Sequence, residues 1–454
     1  MPINLKSRLS FRGGVHPPQC KVLTQDKEIL PGPSIKEAVI LLSQHTGAIC
    51  QPLVNKGDTV QAGQKIGDSE AFVSAPVHAP FAGKVKEISL QSHPVIGRCL
   101  AVVIEAAQDT TPRPPFFKLS PDFDENTYSP EQICDAVRRA GIVGMGGAGF
   151  PTRVKIEPNP QLPKHTLLIN SCECEPYITC DYRIMLEWTD QIIAGAILAG
   201  RAAGSSNVYF AIEDNKPLAI ETISTALEKH GRSNNTKVVP VKTKYPQGGE
   251  RQLIRAVLNK QVPTGGIPPV IGVVVLNVAT AAAIADAVIN NNPLIHRVVT
   301  VTGEAVSNPG NFYVPIGTPI EDLLNFCGGL TRQAARVIIG GPMMGIAIAD
   351  MKTPVTKTTG AITVLSQEQI SRAELQTPCI HCGRCLKICP ERLNPTKIAH
   401  AVKNYFWDVA QNYYISACIE CGCCSYICPA HIELTGYIKT GKVFLARQKK
   451  KMPA

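Results

Sequence analysis

Residues 379–390 read CIHCGRCLKICP, and residues 418–429 read CIECGCCSYICP. Each run follows the pattern C-x2-C-x2-C-x3-C-P. Four thiolates are what a [4Fe–4S] cube needs, one at each iron. Three closely spaced cysteines wrap three corners, and the chain cannot fold back far enough to supply the fourth. In two-cluster ferredoxins of this spacing the last cysteine ligates the other cluster. One cube is therefore expected on Cys379, Cys382, Cys385 and Cys428, and the other on Cys389, Cys418, Cys421 and Cys424. Pro390 and Pro429 turn the chain away after the last ligand. Zinc would ask for two pairs around one tetrahedral ion, and two identical quartets with trailing prolines do not have that form. Cys423 is an extra thiol outside the pattern. Residues 368–454 thus read as a helical, ferredoxin-like domain with two clusters. The chain closes on a basic tail, KVFLARQKKK at 442–451, expected as a solvated helix or a contact with anionic lipid.

At 454 residues, the chain is too long for one ordinary core, and two to four domains are expected. Nine of its seventeen cysteines lie in 379–428, and such clustering points to metal rather than a disulfide framework. The opening MPINLKSRLSFRGGVHPP has no apolar core of the signal-peptide kind. The formal charge is +10, but aromatics are only 6% and are not interleaved with basic runs. That combination argues against nucleic acid as a partner. The most apolar stretch, 270–289, carries Asn277 and Asp286, so it reads as a buried strand and helix rather than a membrane span.

Residues 1–115 alternate short apolar stretches with Gly and Pro turns, as in a small β sandwich. They resemble the barrel-sandwich domains that carry biotin or lipoate. Those need a lysine at a hairpin tip, whereas the matching stretch here is DSEAF at 68–72, so a structural module is expected. Residues 110–130 hold five prolines and read as a linker. From 125 to 295 strand-like and helix-like segments alternate (TLLIN, DQIIAGAILAGRAAG, NVYFAI, LAIETISTALEKH). Such alternation argues a Rossmann-like α/β domain around a parallel sheet. Residues 296–367 read as a compact α+β module of β-grasp type. The expected fold is thus multidomain, α+β and α/β.

Residues 141–152, GIVGMGGAGFPT, hold five glycines. Backbone amides of such a loop close on an anion, and positive φ comes at no steric cost; a helix N-terminus behind it would add a favourable field. The loop follows a helical segment rather than a strand, so it is not the dinucleotide fingerprint. It resembles the loop of the flavin-binding subunit of respiratory complex I, which holds FMN and NADH. Three more segments match that family in order: INSCECEPYITCDYR (169–183), YPQGGERQLI (245–254) and LNVAT (276–280).

The resemblance implies that Gly144, Gly146, Gly147 and Gly149 pass under the flavin and nicotinamide, and that Lys155 approaches the FMN phosphate. It puts Asn170, Glu173 and Glu175 at the ribityl chain, the ring edge or the NADH ribose, with the two glutamates as the catalytic candidates. Tyr245, Gly248, Gly249 and Glu250 would form another wall, Asn277 and Thr280 would lie at the phosphate, and Phe150 would stack on the adenine. Met145 stands where that family has Arg, and IEPNP (156–160) lacks its second stacking Phe. Cys172, Cys174 and Cys180 are expected as buried thiols.

Nicotinamide gives up two electrons as hydride, and a cluster takes one at a time; flavin handles both. A flavin site beside two cubes therefore reads as a wire: NAD(H), FMN, cluster, cluster, partner. The whole order, with FRGGVHPP at 11–18, resembles the RnfC family, the C subunits of Rnf complexes. That resemblance implies a peripheral protein on the cytoplasmic side of the inner membrane. Its complex exchanges electrons between ferredoxin and NAD, couples this to ion movement, and supplies the other subunits as partners. The competing expectations are a cobalamin reductase of the microcompartment type, the quinone-reductase cousin that lacks these clusters, and a non-catalytic ferredoxin-like relay.

Overall fold

The computed structural model describes residues 9–232, 234–331, 333–370 and 375–451. The first residues of the N-terminal module and the last residues of the cluster region lie outside them.

Four parallel strands form the central sheet: Thr166–Ser171, Asn207–Glu213, Thr236–Val241 and Val273–Asn277. Val273, Val274, Val275 and Leu276 are all buried, as expected of a strand covered on both faces. The chain lays the second and third strands to one side of the first, then crosses over to place the fourth on its other side. Open parallel sheets bind ligands beyond the carboxyl ends of the strands at such a switch point. Asn170 and Asn277 are register partners at those ends.

Helices Thr189–Ala203 and Val278–Ile289 pack closely over one face. Gly195 permits the approach, because a Cβ there would lie 1.7 Å from the Ala281 carbonyl oxygen. Gly195→Ala is expected to cost ~3 kcal/mol by overpacking, read as a lower urea midpoint. An unchanged midpoint would mean that the helices are not held this close.

The N-terminal module is two small sheets. One contains Glu37–Leu41, Gly97–Ala106, Gly83–His93 and Thr59–Val60; the other contains Gln51–Pro52, Lys65–Asp68 and Val77–His78. The stretch where a carrier lysine would sit is docked on the central domain. Arg138 Nη2 donates to Asp68 Oδ1 at 2.7 Å and to the Ser69 carbonyl at 2.9 Å, and the Arg153 guanidinium lies 5.4 Å over the Phe72 ring.

The β-grasp region contains the strands His296–Thr302, Gly310–Pro315, Ala334–Ile339, Ile346–Ile348 and Ala361–Ser366. Its sheet gains a sixth strand, Ile29–Pro31, paired parallel to Gly310–Pro315. The N-terminal segment thus crosses the expected boundary and ties two modules together.

In the cluster region, helices Pro395–Lys403 and Leu434–Lys451 pack on each other. The basic tail is helical with Val443, Phe444 and residues 446–448 exposed, as a solvated helix would be, but it is anchored at its start. Lys442 Nζ donates to the Cys418 carbonyl at 3.0 Å, Phe444 stacks on Trp407 at 4.1 Å, and Leu445 is buried. Among the described residues no helix is long and apolar enough to cross a membrane.

Candidate flavin and cluster sites

Two glycine-rich segments roof the switch point. Gly146 lies over Asn277: a Cβ on it would sit 2.9 Å from both Cβ and Nδ2 of that residue. Gly248 lies over Asn170, its virtual Cβ 3.4 Å from Oδ1, and its carbonyl accepts from Asn170 Nδ2 at 2.7 Å. Around Gly147 nothing comes within 4 Å of an added Cβ, so the loop keeps an open face. Gly149 adopts φ +66°, which favours glycine. Gly144 donates to the Phe150 carbonyl at 2.8 Å, closing the loop on itself, and Phe150 is half-buried. Thr280 Oγ1 accepts the Met145 amide at 3.0 Å.

Two helices of useful length start at the site. Asn277 caps Val278–Ile289 by accepting the Ala279 amide at 2.9 Å, and Gly249 caps Glu250–Leu258. Helix N-termini carry partial positive charge and favour phosphate. The helix directly behind the loop, Thr152–Ile156, has only five residues, so the longer helices supply the field instead. Lys155 Nζ reaches Glu250 Oε2 at 3.0 Å and the Val275 carbonyl at 3.2 Å. Two of the expected site residues thus meet as an ion pair.

Glu173 and Glu175 are deeply placed, and both have partners within the protein. Glu173 Oε1 accepts the Asp181 amide at 2.7 Å, and Lys21 Nζ stands 3.4 Å from Oε2. Glu175 Oε1 accepts the amides of Met343 and Met344 at 2.6 and 3.1 Å, which pins the β-grasp turn to the central domain. Burial raises both carboxyls above their ordinary values, Glu173 to about 7 against the pull of Lys21.

Between an unfolded value of 4.5 and about 7, the folded chain therefore keeps a proton on Glu173 that the unfolded chain has lost. This stabilisation is fully present below 4.5 and disappears as pH rises to about 7. The thermal midpoint is expected to fall across that window, by an amount worth on the order of 3 kcal/mol. Glu173→Gln, which mimics the protonated acid, should flatten the profile; the parental slope in that variant would place the proton elsewhere.

Cys172 and Cys180 are fully buried, and Cys174 Sγ accepts the Gly248 amide at 3.3 Å. Burial pushes all three thiols up, which suits packing rather than ligation.

The two cysteine quartets repeat each other in space as in sequence. His381 and Glu420 take positive φ, and their amides donate to Cys379 Sγ and Cys418 Sγ, each at 3.4 Å. Thr396 lies 3.0 Å from Cys385 Sγ, and Thr435 lies 3.3 Å from Cys424 Sγ. Cys389, Cys418, Cys421, Cys423 and Cys424 line one pocket with Ile419 and Ile438. This apolar-walled pocket brings Cys389 of the first run beside Cys418, Cys421 and Cys424 of the second. The other four ligand candidates lie nearer the surface, with Cys382 exposed. Hydrogen bonds to sulfur and solvent exposure are what tune such clusters. Cys423 is buried, with Sγ 4.0 Å from the Tyr245 carbonyl.

The inner pocket meets the switch-point site through Tyr245, and Gln252 of the Glu250–Leu258 helix also donates to Glu391 on its wall. Tyr245 precedes the Gly248–Gly249 turn, is 1% exposed, and donates its hydroxyl to the Cys421 carbonyl at 2.8 Å. FRGGVHPP closes the same joint. The Gly14 amide donates to the Ile388 carbonyl at 2.7 Å, and a Cβ on Gly13 would lie 2.9 Å from the Cys389 carbonyl. Spacing and motif give no sign of Lys21 or of the Met343–Met344 turn, and motif alone does not single out the sulfur-facing Thr396 and Thr435. The pairing of Thr396 with Thr435 is open to view as the same offset from each third cysteine.

A Rossmann-like flavin domain joined through Tyr245 to a two-cluster domain defines an iron–sulfur flavoprotein of the electron-transfer class. Family profiles agree module by module. The RnfC barrel sandwich hybrid domain matches residues 9–109, the Nuo51 FMN-binding domain 137–286, the SLBB domain 298–347, and a 4Fe–4S dicluster domain 373–429. The C subunit of the proton-translocating ferredoxin:NAD(+) oxidoreductase complex of Clostridium ljungdahlii is 42% identical over 86% of this chain and 84% of its own length. Its Na(+)-translocating counterpart of Acetobacterium woodii is 39% identical over 89% of each chain. The C subunit of the ion-translocating oxidoreductase complex of Rhodobacter capsulatus is 39% identical over 86% of this chain and 74% of its own. The chain belongs to the RnfC family, the C subunits of Rnf complexes, and FMN and [4Fe–4S] clusters are its cofactors.

Proposed function

We propose that this chain is the peripheral subunit through which an Rnf-type complex exchanges electrons with NAD(H), on the cytoplasmic face of the membrane. FMN, when bound, supplies the chemistry that joins a hydride donor to one-electron carriers. Gly144, Gly146, Gly147 and Gly149 lend it a side-chain-free backbone, open at Gly147. Asn170 and Asn277 stand at the switch point, and Lys155 with the two helix N-termini favours its phosphate. Glu173 and Glu175 are the buried carboxyls proposed for catalysis, and Phe150 gives a ring at the glycine loop. Cys389, Cys418, Cys421 and Cys424 hold the inner cluster. Cys379, Cys382, Cys385 and Cys428 hold the outer one, at the surface where a neighbouring subunit docks. Ferredoxin is served indirectly, through the other subunits.

The observation that carries this order is the Tyr245 hydroxyl on the Cys421 carbonyl at 2.8 Å. It joins the wall of the flavin site to a ligand of the buried cluster and to none of the exposed one. A ferredoxin-like relay without catalysis would have no use for the roofed switch point. A cobalamin reductase of the microcompartment type would begin near the glycine loop and lack the barrel sandwich. Anaerobic reconstitution tests the cofactor set. About eight irons, about eight sulfides and one flavin per chain are expected. About four irons, or no flavin, would refute it.

A further inference from the structure

We propose that Lys357 and Thr46 are positioning residues for the flavin loop, supplied by the two modules that contain no part of the flavin domain itself. The loop is held at both ends from outside. At its start, Lys357 Nζ donates to the Gly141 carbonyl and to the Pro76 carbonyl of the barrel sandwich, each at 2.6 Å. At its far end, Thr46 of the barrel sandwich donates its hydroxyl to the Ala148 carbonyl at 2.6 Å and its amide to the Gly149 carbonyl at 3.1 Å. The Thr358 methyl occupies the space that a Cβ on Gly149 would need, at 2.8 Å. The two ends of one loop are thus gripped by a strut that crosses three modules.

Lys357 is 1% exposed, and its hydrogen-bond acceptors are carbonyls with no carboxylate among them. Its own amide is fixed by Gln44 Oε1 at 3.0 Å. Burial disfavours the ammonium strongly, bringing it down to about 7. A buried amine is expensive unless its donors are used, and here they are used on the first residue of the glycine loop. The barrel sandwich thereby acquires a purpose, since a carrier-type module without its lysine serves as a brace.

The brace presupposes that residues 141–152 hold FMN, as proposed above. The test compares Lys357→Met, Thr46→Val and Thr46→Ser in the reconstituted full chain, with Lys86→Ala as a control on the exposed Lys86–Glu37 pair of the same module. FMN dissociation, NADH KM and kcat, and iron content are measured. Lys357→Met is expected to keep about eight irons. Its FMN affinity should fall, and its NADH KM rise, about tenfold, with kcat at saturation nearly unchanged. Thr46→Val should move the same constants about threefold, Thr46→Ser should restore them, and Lys86→Ala should leave them at parental values. Parental FMN and NADH constants in Lys357→Met and Thr46→Val, whatever happens to the melting point, would overturn the brace. If Lys357→Met does not fold, Thr46→Val decides alone. An unaltered chain that takes up no FMN would instead overturn the flavin site, and the brace with it.

Discussion

Cys421→Ala is expected to lower the iron content from about eight to about four atoms per chain. It should leave the bleaching of bound flavin by NADH at its parental rate. Cys421 lines the inner cavity with Cys389, Cys418 and Cys424, and it does so at the joint with the flavin wall. The contact to Tyr245 is made by the backbone carbonyl, so the substitution leaves it in place. What is lost is the exit. Electron delivery from NADH to a one-electron acceptor should fall on the order of a hundredfold or more, because the outer cluster is stranded beyond a gap. Cys423→Ala is the matched contrast, since that thiol lies outside the repeated C-x2-C-x2-C-x3-C pattern and packs beside Tyr245, although it lines the same pocket; it should retain the full iron content. Eight irons in Cys421→Ala would show that Cys421 is not a cluster ligand.

Gly146→Ala should produce the opposite pattern, with full iron and almost no flavin. The new methyl would meet Asn277 at 2.9 Å, inside any ordinary contact, and the loop must back away from the switch point. A displacement of this size under a planar cofactor is expected to weaken FMN binding on the order of a hundredfold. Gly147→Ala separates ligand from fold, since nothing of the protein lies within 4 Å of the added carbon. Its stability should match the parent, so any loss of flavin there reports the ligand itself. Parental flavin content in Gly146→Ala would remove the loop from the site. Together the two variants split the chain into a half that receives an electron pair and a half that passes electrons on.

Much of this is legible in the chain itself. The cysteine runs carry their fold with them, because three ligands in seven residues leave few ways to wrap a cube. The strands Thr166–Ser171 and Val273–Asn277 show as short apolar runs, and Asn170 and Asn277 fall at their ends. What stays hidden is long-range. Ile29–Pro31 joins a sheet made mostly of residues beyond 295, and a three-residue strand has no periodicity to read. Lys21 finds Glu173 across 152 positions of sequence, and Tyr245 finds Cys421 across 176. The tail is the exposed helix its charges suggest, but its anchors, Trp407 and Cys418, lie elsewhere in sequence and are not legible from it. The glutamates stand out as site residues, but their partners, a lysine near the N-terminus and a turn at 343–344, come from other modules.

The central claim is that one polypeptide receives reducing equivalents in pairs at a flavin and releases them singly through its clusters. Anaerobic titration of the fully reconstituted chain with NADH, followed at the yellow flavin absorption band, tests this most directly. The band should bleach on mixing, and one-electron acceptors should then be reduced only by chains that hold both clusters. A preparation with about eight irons and bound FMN whose yellow band is untouched by NADH would contradict it.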